Sequence, residues 1–241
     1  MGTAAPYPQP DNPCSGYLLQ TGGASVWVDA GPGSLAELLR HTTLDALDAV
    51  WLSHLHLDHI GDILNAYYAL AFGELPPRST PLPVYAPAGL ADRLTGFFAQ
   101  PDTTFYSSFL DLRPLSDGHL VQLKDLHLTS RAVAHGTEAY ALRAEAAGHS
   151  LVYSGDCAPC PALDELSSNA DLLLCEANDP GPTPVHHTPT QAGALAHRTG
   201  AERLVVTHVG PSMTPETATI QAAAAFPGPT SLAKVGTTLS F

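Results

Sequence analysis

A dense polar cluster between an apolar strand and an apolar helix limits what this chain can fold into. Residues 53–62 read Ser-His-Leu-His-Leu-Asp-His-Ile-Gly-Asp, and they follow the short apolar run 49–52. Residues 63–72 have the apolar pattern of a helix. We therefore expect the cluster in a strand-to-helix loop, at the carboxyl end of a strand, where ligands collect in α/β sheets.

The spacing within the cluster favours metal binding. His54 and His56 are two residues apart, so an extended backbone points both to the same side, and the turn into the helix can bring Asp58 and His59 round to face them. Imidazole and carboxylate suit zinc and its neighbours, and two such sets of ligands can hold two ions about 3.5–4 Å apart. The alternative, a surface loop that is rich in histidine by chance, is disfavoured by this density beside an apolar strand.

The cluster resembles the signature of the metallo-β-lactamase-fold hydrolases, position for position: His54-x-His56-x-Asp58-His59. That family has three further ligands downstream, and residues of the right type follow in the right order, each next to a predicted strand: His135, Asp156 and His208. An Asp-x-Gly segment of the family is matched at residues 29–31. The resemblance implies an α/β fold, the four-layer αβ/βα sandwich, with two sheets face to face, helices outside and the metals at one edge.

The resemblance also implies a role for each of the seven residues. One ion would be held by His54, His56 and His135, the other by Asp58, His59 and His208, with Asp156 bridging both. A carboxylate suits the bridge because it has two oxygens and a charge that offsets part of the charge of the ions. A hydroxide between two divalent ions would be the nucleophile, since metal coordination lowers the pKa of water from 15.7 to about 7. Zinc is the expected metal, manganese and iron are the alternatives, and Asp58 is a catalytic candidate as well as a ligand.

A second segment, residues 186–192, resembles a His-x-Thr motif that precedes a helix in the ribonuclease Z-like branch of the family. There the motif His lies close to the scissile phosphate. The register places the motif at His186 and Thr188, with His187 as the competing candidate. We expect His186 to protonate the departing alkoxide or to donate to a phosphoryl oxygen. Thr188 and Tyr140 are candidate substrate contacts, and a purely structural role as a helix cap is the alternative for Thr188.

Charge and spacing argue against a large RNA substrate. The formal net charge is −13 with only ten Lys and Arg, so the overall field repels polyanions. Only twenty residues separate His135 from Asp156, whereas tRNA-processing members of the branch insert a long arm in this interval. The sequence therefore predicts an armless phosphodiesterase for small phosphodiesters or cyclic nucleotides, with a small-molecule substrate and no specific nucleic-acid partner. A lactonase or thioester hydrolase, with Tyr140 or Tyr153 polarising the carbonyl, is the alternative.

One domain over residues 1–241 is expected, and residues 1–13, with four prolines, should form an extended arm. Strands are expected at 14–19, 25–29, 49–52, 83–86, 120–122, 126–134, 139–144, 150–154, 171–176 and 203–207, and helices at 35–40, 63–72, 89–100, 163–168, 188–199 and 215–226. The aromatic region 67–112 has two interpretations: it forms part of a pocket wall or a homodimer surface, or it is ordinary core between helix and sheet. The lack of a leader pattern and of a long apolar run predicts a cytoplasmic protein without a membrane partner.

The cysteines and the remaining histidines leave smaller questions. Four cysteines in a chain of this length favour reduced thiols. Cys157-x-x-Cys160 directly follows Asp156, so a redox-sensitive pair or an extra metal contact stays open beside the favoured interpretation, small residues packed at a turn. Five histidines lack a partner at ligand spacing and are expected at the surface or in packing roles: His41, His119, His127, His149 and His197.

Overall fold

Two β-sheets form the centre of the protein in the computed structural model, which describes residues 1–73 and 78–240. The strands of the first sheet are β1 Tyr17–Gln20, β2 Ser25–Val28, β3 Ala49–Trp51, β4 Leu82–Ala86 and β5 Leu110–Pro114. Those of the second are β6 His119–Leu123, β7 Leu126–Ala132, β8 Tyr140–Ala146, β9 His149–Tyr153, β10 Leu172–Glu176, β11 Leu204–Thr207 and β12 Thr230–Leu232. Each sheet follows sequence order in space, β1 to β5 in the first and β6 to β12 in the second.

The helices cover the outer faces of both sheets. Those of the first half are α1 Ser34–Leu38, α2 Leu57–Phe72, α3 Leu90–Phe97 and α4 Thr104–Ser107, with a 3-10 helix at Leu44–Ala46. Those of the second half are α5 Pro161–Leu166, α6 Pro189–Thr199 and α7 Pro215–Ala225. Apolar side chains form three separate cores, one between the sheets and one between each sheet and its helices. This arrangement confirms the predicted four-layer α/β sandwich.

The two tryptophans lie in different layers. Successive residues of a strand point to opposite faces of a sheet, and β2 shows this alternation: Trp27 packs among the helices of the first half, while Val26 and Val28 face the second sheet. Trp51 lies between the sheets, where its Nε1 donates to Ser130 Oγ at 3.0 Å. Both indole rings are fully buried. The Trp51 bond therefore joins the two sheets through their shared core.

Parallel strands bring the predicted ligands to one edge of the sandwich. Strands β2 to β5 run parallel to one another, as do β9 to β12. Because the carboxyl ends of parallel strands meet at the same edge of a sheet, the loops after β2, β3, β9 and β11 can gather there. These loops carry Asp29, His54, Asp156 and His208.

Several element boundaries differ from the sequence prediction. Helix α2 begins at Leu57 instead of residue 63, because His56 adopts the extended conformation of a cap and Asp58 occupies the first turn, where a negative charge is favourable. The predicted strand 14–19 begins at Tyr17, since the preceding residues pair with the arm instead. Strands β5 and β12 and helix α4 were not predicted. Their three to five residues are too short for a periodic pattern.

The N-terminal arm contains no regular element but is packed on the body. Gly2 N donates to Gly16 O at 2.9 Å and Ala4 N to Pro13 O at 3.0 Å. Ala4 and Ala5 are buried, and Ala4 forms a bridge with Val209, the residue after His208. The arm therefore supports the loop that carries His208.

The aromatic region is core on one side and surface on the other. Tyr67 packs edge-to-face against Phe98, Phe105 and Phe109, whereas Phe72 and Phe97 are exposed. Pro76 and Pro77 of this region lie outside the described residues, and the homodimer surface stays a prediction.

Among residues 1–73 and 78–240, no helix has both the length and the apolar composition that crossing a bilayer requires.

Candidate metal centre

All seven predicted ligands converge at the carboxyl edge of the two sheets. They form two neighbouring groups: His54, His56, His135 and Asp156 in one, and Asp58, His59 and His208 in the other. Within each group the candidate donor atoms lie within 4.8 Å of one another. Residues from both halves of the chain therefore complete one constellation.

Asp156 lies between the two groups. Its Oδ2 is 3.7 Å from His54 Nε2 and 3.1 Å from His208 Nε2, and its Oδ1 is 3.4 Å from His59 Nε2. Burial alone would raise the pKa of this carboxyl, but His208 and His59 outweigh burial and hold it well below its usual range. An ionised carboxylate that faces both groups occupies the position that a bridging ligand requires.

The donor set fits divalent cations. In the described part of the chain, His59 Nε2 and Asp156 Oδ1 are buried and have no hydrogen-bond partner, which ordinarily destabilises a fold by about 1–3 kcal/mol for each group. Burial lowers the pKa of His54, His56 and His135, so these imidazoles are neutral and each has one ring nitrogen that can act as a ligand. His54 Nε2 and His135 Nε2 lie 2.9 and 3.2 Å from the same atom, His56 Nδ1. Imidazole nitrogen and carboxylate oxygen are ligands that zinc takes in proteins, and a cation would satisfy the unpaired atoms.

Asp29 fixes His59 from behind. Its Oδ2 lies 2.7 Å from His59 Nδ1, and the same carboxylate accepts from Ser53 N, Ser53 Oγ and Tyr153 OH at 2.7–2.8 Å. A carboxylate on one ring nitrogen fixes the tautomer and turns the other nitrogen toward a metal. Asp29 therefore holds His59 Nε2 toward Asp156.

The other imidazoles are also supported. His208 Nδ1 lies 2.9 Å from Ser15 Oγ, and His135 Nδ1 lies 2.8 Å from the carbonyl oxygen of Val185. Asp29 and His208 both have positive φ angles, 55° and 47°. This conformation is uncommon outside glycine and is concentrated at functional sites. The backbone is thus held in less favourable conformations where it presents these two side chains.

His186 lies beside the seven residues without belonging to either group. Its ring centroid is 5.2 Å from that of His135 and 6.4 Å from that of His208. Its Nδ1 lies 3.0 and 3.1 Å from the two oxygens of Glu176, a buried carboxylate at the end of β10. Burial lowers the pKa of His186, but Glu176 more than offsets this and raises the pKa to about 9. The ring is therefore positioned to carry a proton.

His187 lies in a different environment. Its Nδ1 donates to the carbonyl oxygen of Cys157 at 2.6 Å, and the side chain is fully buried. Burial lowers the pKa of His187 to about 4, so the ring is neutral. Of the two adjacent histidines, only His186 is among the imidazoles of the centre.

The structure gives Thr188 and Tyr140 other contacts. Thr188 Oγ1 accepts from Gln191 N at 3.1 Å while Gln191 Oε1 accepts from Thr188 N, a reciprocal cap at the start of α6. The Tyr140 hydroxyl donates to Glu138 at 2.7 Å, and its ring packs between the sheets. The Tyr153 hydroxyl donates to Asp29. Both tyrosine hydroxyls invoked for a lactonase are thus bound to carboxylates.

Sequence reasoning missed Glu176. The signal was a single acidic residue at the end of the all-buried strand Leu-Leu-Leu-Cys-Glu, where the carboxyl end of a parallel strand meets the site. The five histidines assigned to surface or packing roles stay outside both groups. His119 is half-buried and the others are exposed: His41, His127, His149 and His197.

A family model described as the beta-lactamase superfamily domain matches residues 24–209. The chain belongs to the metallo-β-lactamase-fold hydrolases. It is 36% identical over 238 residues to protein ML1173 of Mycobacterium leprae, covering 95% of this chain and 83% of that protein. It is 30% identical over 250 residues to the "Probable metallo-hydrolase YhfI" of Bacillus subtilis, covering 98% and 96%. A ribonuclease Z of Mycolicibacterium paratuberculosis is 28% identical, with 88% and 85% covered.

Solved structures agree with this family membership. The crystal structure of the metallo-β-lactamase fold protein YhfI superposes with a TM-score of 0.88 at 28% identity, covering 98% of this chain and 95% of that one. A diphosphatase from the PhnP family has the same fold, with a TM-score of 0.72 at 22% identity and 94% and 83% covered. The protein is therefore a metallo-hydrolase, similar to the ribonuclease Z-like branch as the sequence predicted.

Proposed function

We propose that this metallo-hydrolase is a phosphodiesterase for small phosphodiesters, cyclic nucleotides among them, with a centre for two divalent ions. The observation that carries the proposal is His186, which Glu176 holds beside the two ligand groups. Phosphodiester cleavage releases an alkoxide, which needs a proton, and a positioned imidazolium can supply it.

Different residues of the chain would have different roles in the reaction. The seven residues of the two groups would hold the ions, which when bound supply an activated water and polarise a phosphoryl oxygen. Asp29 keeps His59 oriented, and Ser15 does the same for His208. Glu176 keeps the proton on His186 Nδ1, leaving Nε2 as the atom that would donate to the leaving oxygen.

Two features support a small substrate. The twenty residues between His135 and Asp156 are occupied by the antiparallel hairpin of β8 and β9, which lies in the sheet. With a net charge of −13, the chain lacks the cations that would hold many phosphates at once. A relative named ribonuclease Z and a structural neighbour named diphosphatase support a reaction at a phosphoryl group.

The proposal is tested by a substrate panel with protein loaded with zinc or manganese. We expect hydrolysis of bis-nitrophenyl phosphate or a cyclic nucleotide, no specific cleavage of a tRNA precursor, and weak or no lactone opening. The exposed His149 provides a control, and His149→Ala should match the unmodified protein. Lactone turnover well above phosphodiester turnover in kcat/KM would overturn the proposal, as would salt-resistant cleavage at a tRNA 3′ end.

Metal content is a separate test. We expect two divalent ions per chain in fully loaded protein, and chelation should lower the Tm because bound metal stabilises the folded state. Asp156→Ala removes the carboxylate between the groups and should lower both occupancy and turnover. A maximum of one ion per chain would contradict the dinuclear centre.

A further inference from the structure

The Cys157 and Cys160 pair lies between two segments of the metal centre. Cys157 directly follows Asp156, and Ala158 N donates to the carbonyl oxygen of Ala134, the neighbour of His135, at 2.7 Å. Cys157 is fully buried, whereas Cys160 is half-buried and reaches solvent. Neither thiol belongs to the two ligand groups. The metal centre therefore leaves this pair without a role.

The backbone at Cys157 is also bonded to the support of His186. Cys157 N donates to Glu176 Oε1 at 2.7 Å, and the same oxygen lies 3.0 Å from His186 Nδ1. The Cys157 carbonyl accepts from His187 Nδ1. A shift of this one residue would therefore move Asp156 through the chain and Glu176 through the hydrogen bond.

The two sulfurs differ in the way that a reactive pair requires. The Cys160 sulfur faces the thiol of Cys157 and the N–H groups of Ala134 and Leu163, and these contacts lower the pKa of Cys160 to about 6 although burial opposes them. Cys157 Sγ lies inside the core of the second sheet, 3.8 Å from His187 Nδ1, whereas solvent reaches Cys160. Cysteines that sense oxidants have a low pKa, reach solvent and lie next to a second thiol.

We propose that Cys157 and Cys160 form a disulfide when a hydroperoxide reaches Cys160, and that this bond lowers turnover at the adjacent metal centre. The Cys160 thiolate attacks the peroxide, forming an S–O bond and breaking the O–O bond; the leaving alkoxide or hydroxide takes up the proton that Cys160 had released. Cys157 then attacks the Cys160 sulfenic acid, the S–S bond forms, and water leaves with the Cys157 proton. Two thiols are oxidised and one peroxide is reduced.

The metal-loaded protein can be tested directly with hydrogen peroxide, and zinc is the suitable metal because it has no redox chemistry of its own. Peptide mapping should find one disulfide per chain, between Cys157 and Cys160, with the loss of two hydrogens. Turnover or zinc affinity should fall by about 10–100-fold, the usual effect of disturbing groups that support metal ligands. Dithiothreitol should restore both.

Two variants separate the pair from the other thiols. Cys160→Ser should form no disulfide and keep its activity in peroxide. Cys175→Ala removes a thiol that is buried in the core of the second sheet, and it should respond to peroxide like the unmodified protein. The rate at which iodoacetamide alkylates Cys160 should reach half its maximum near pH 6. Cys175, whose pKa is raised by burial, should stay unmodified.

Several results would overturn the proposal. Oxidation of Cys160 to a sulfinic acid without a disulfide, or a disulfide to another cysteine, would refute the pairing. A complete Cys157–Cys160 disulfide with unchanged turnover and zinc affinity would refute the coupling. The proposal uses the proposed function only for the turnover assay, so failure of phosphodiester hydrolysis leaves the disulfide and zinc measurements decisive by themselves.

Discussion

Two buried carboxylates each support an imidazole at the candidate metal centre, Asp29 at His59 and Glu176 at His186. The separations are similar, 2.7 and 3.0 Å, and both carboxylates are fully buried. The imidazoles differ: the His59 side chain is fully buried, whereas that of His186 is 19% exposed. His59 Nε2 faces Asp156, while His186 is outside both ligand groups.

The two carboxylates also differ in their other hydrogen-bond partners. Asp29 accepts two bonds from Ser53 and one from Tyr153 besides that from His59, so its position is fixed from several sides. Glu176 accepts from the backbone N–H groups of Cys157 and Asn178. A carboxylate thus fixes the candidate ligand His59 in one place and, as we propose, holds the proton donor His186 beside the two groups in the other.

The largest effect should follow from removing the His186 imidazole, the less buried of the two. His186→Ala should keep both ions but lower kcat by roughly 10²–10⁴, the usual contribution of a positioned proton donor. The loss should be smaller for a substrate that releases nitrophenolate, which hardly needs protonation. Metal analysis beside the kinetics checks this, and loss of an ion would identify His186 as a ligand.

The matching change in the other pair should act on metal affinity instead. Asp29→Asn keeps the shape of the side chain but removes the charge and one acceptor from a group that binds four donors. We expect zinc affinity to fall by about 10–100-fold, with kcat changed less once zinc is saturating. Competition with a chromophoric chelator measures the affinity. Unchanged affinity with a lower kcat would remove the distinction between the pairs.

A smaller effect should follow from Glu176→Gln. The amide can still accept from Cys157 N, but it no longer stabilises the protonated form of His186. We expect kcat to fall by about tenfold, less than in His186→Ala, without loss of metal. A pH profile tests the direction of the pKa change. Glu176 raises the pKa of His186 to about 9, so the variant should have a lower His186 pKa. As the pH is raised, activity that needs the protonated ring should therefore disappear at a lower pH in the variant than in the unmodified protein. An unshifted profile would contradict this role.

The smallest effect should come from Ser15→Ala, which removes the contact to His208 Nδ1. One net hydrogen bond contributes about 0.5–1.5 kcal/mol, so a modest loss of stability and a few-fold loss of zinc affinity are expected. Denaturant titration with and without zinc measures both. An effect as large as that of Asp29→Asn would mean that neutral and charged supports are equivalent here.

Which side chains meet at the candidate site was predictable partly from local spacing and partly from the family resemblance, which supplied His135, Asp156 and His208. The residues from His54 to His59 lie within one loop, and the strands before the other ligands were recognisable as apolar runs. The support of those ligands was harder to predict. Asp29 and Tyr153 are 124 residues apart, and no local pattern states that the two sheets bring them into contact.

Short elements and the directions of side chains were also hard to predict from the sequence. Strand β12 has three half-buried residues, too few to show a period of two. Tyr140 was a candidate substrate contact through the family resemblance, and the structure shows that β8 directs its ring between the sheets. A resemblance fixes the residue type at a position, but the direction of a side chain depends on the strand that presents it.

The separate burial of the two tryptophans has a practical consequence. The chain has only two tryptophans, one in the outer layer of the first half and one bonded across the central layer through Ser130. Trp27→Phe would therefore leave tryptophan emission that reports only on the contact between the sheets, and Trp51→Phe would leave tryptophan emission that reports on helix packing alone. Followed through denaturation, the pair of emission signals would reveal whether the sandwich opens along its middle before its outer layer melts, or whether both layers lose structure in a single cooperative step.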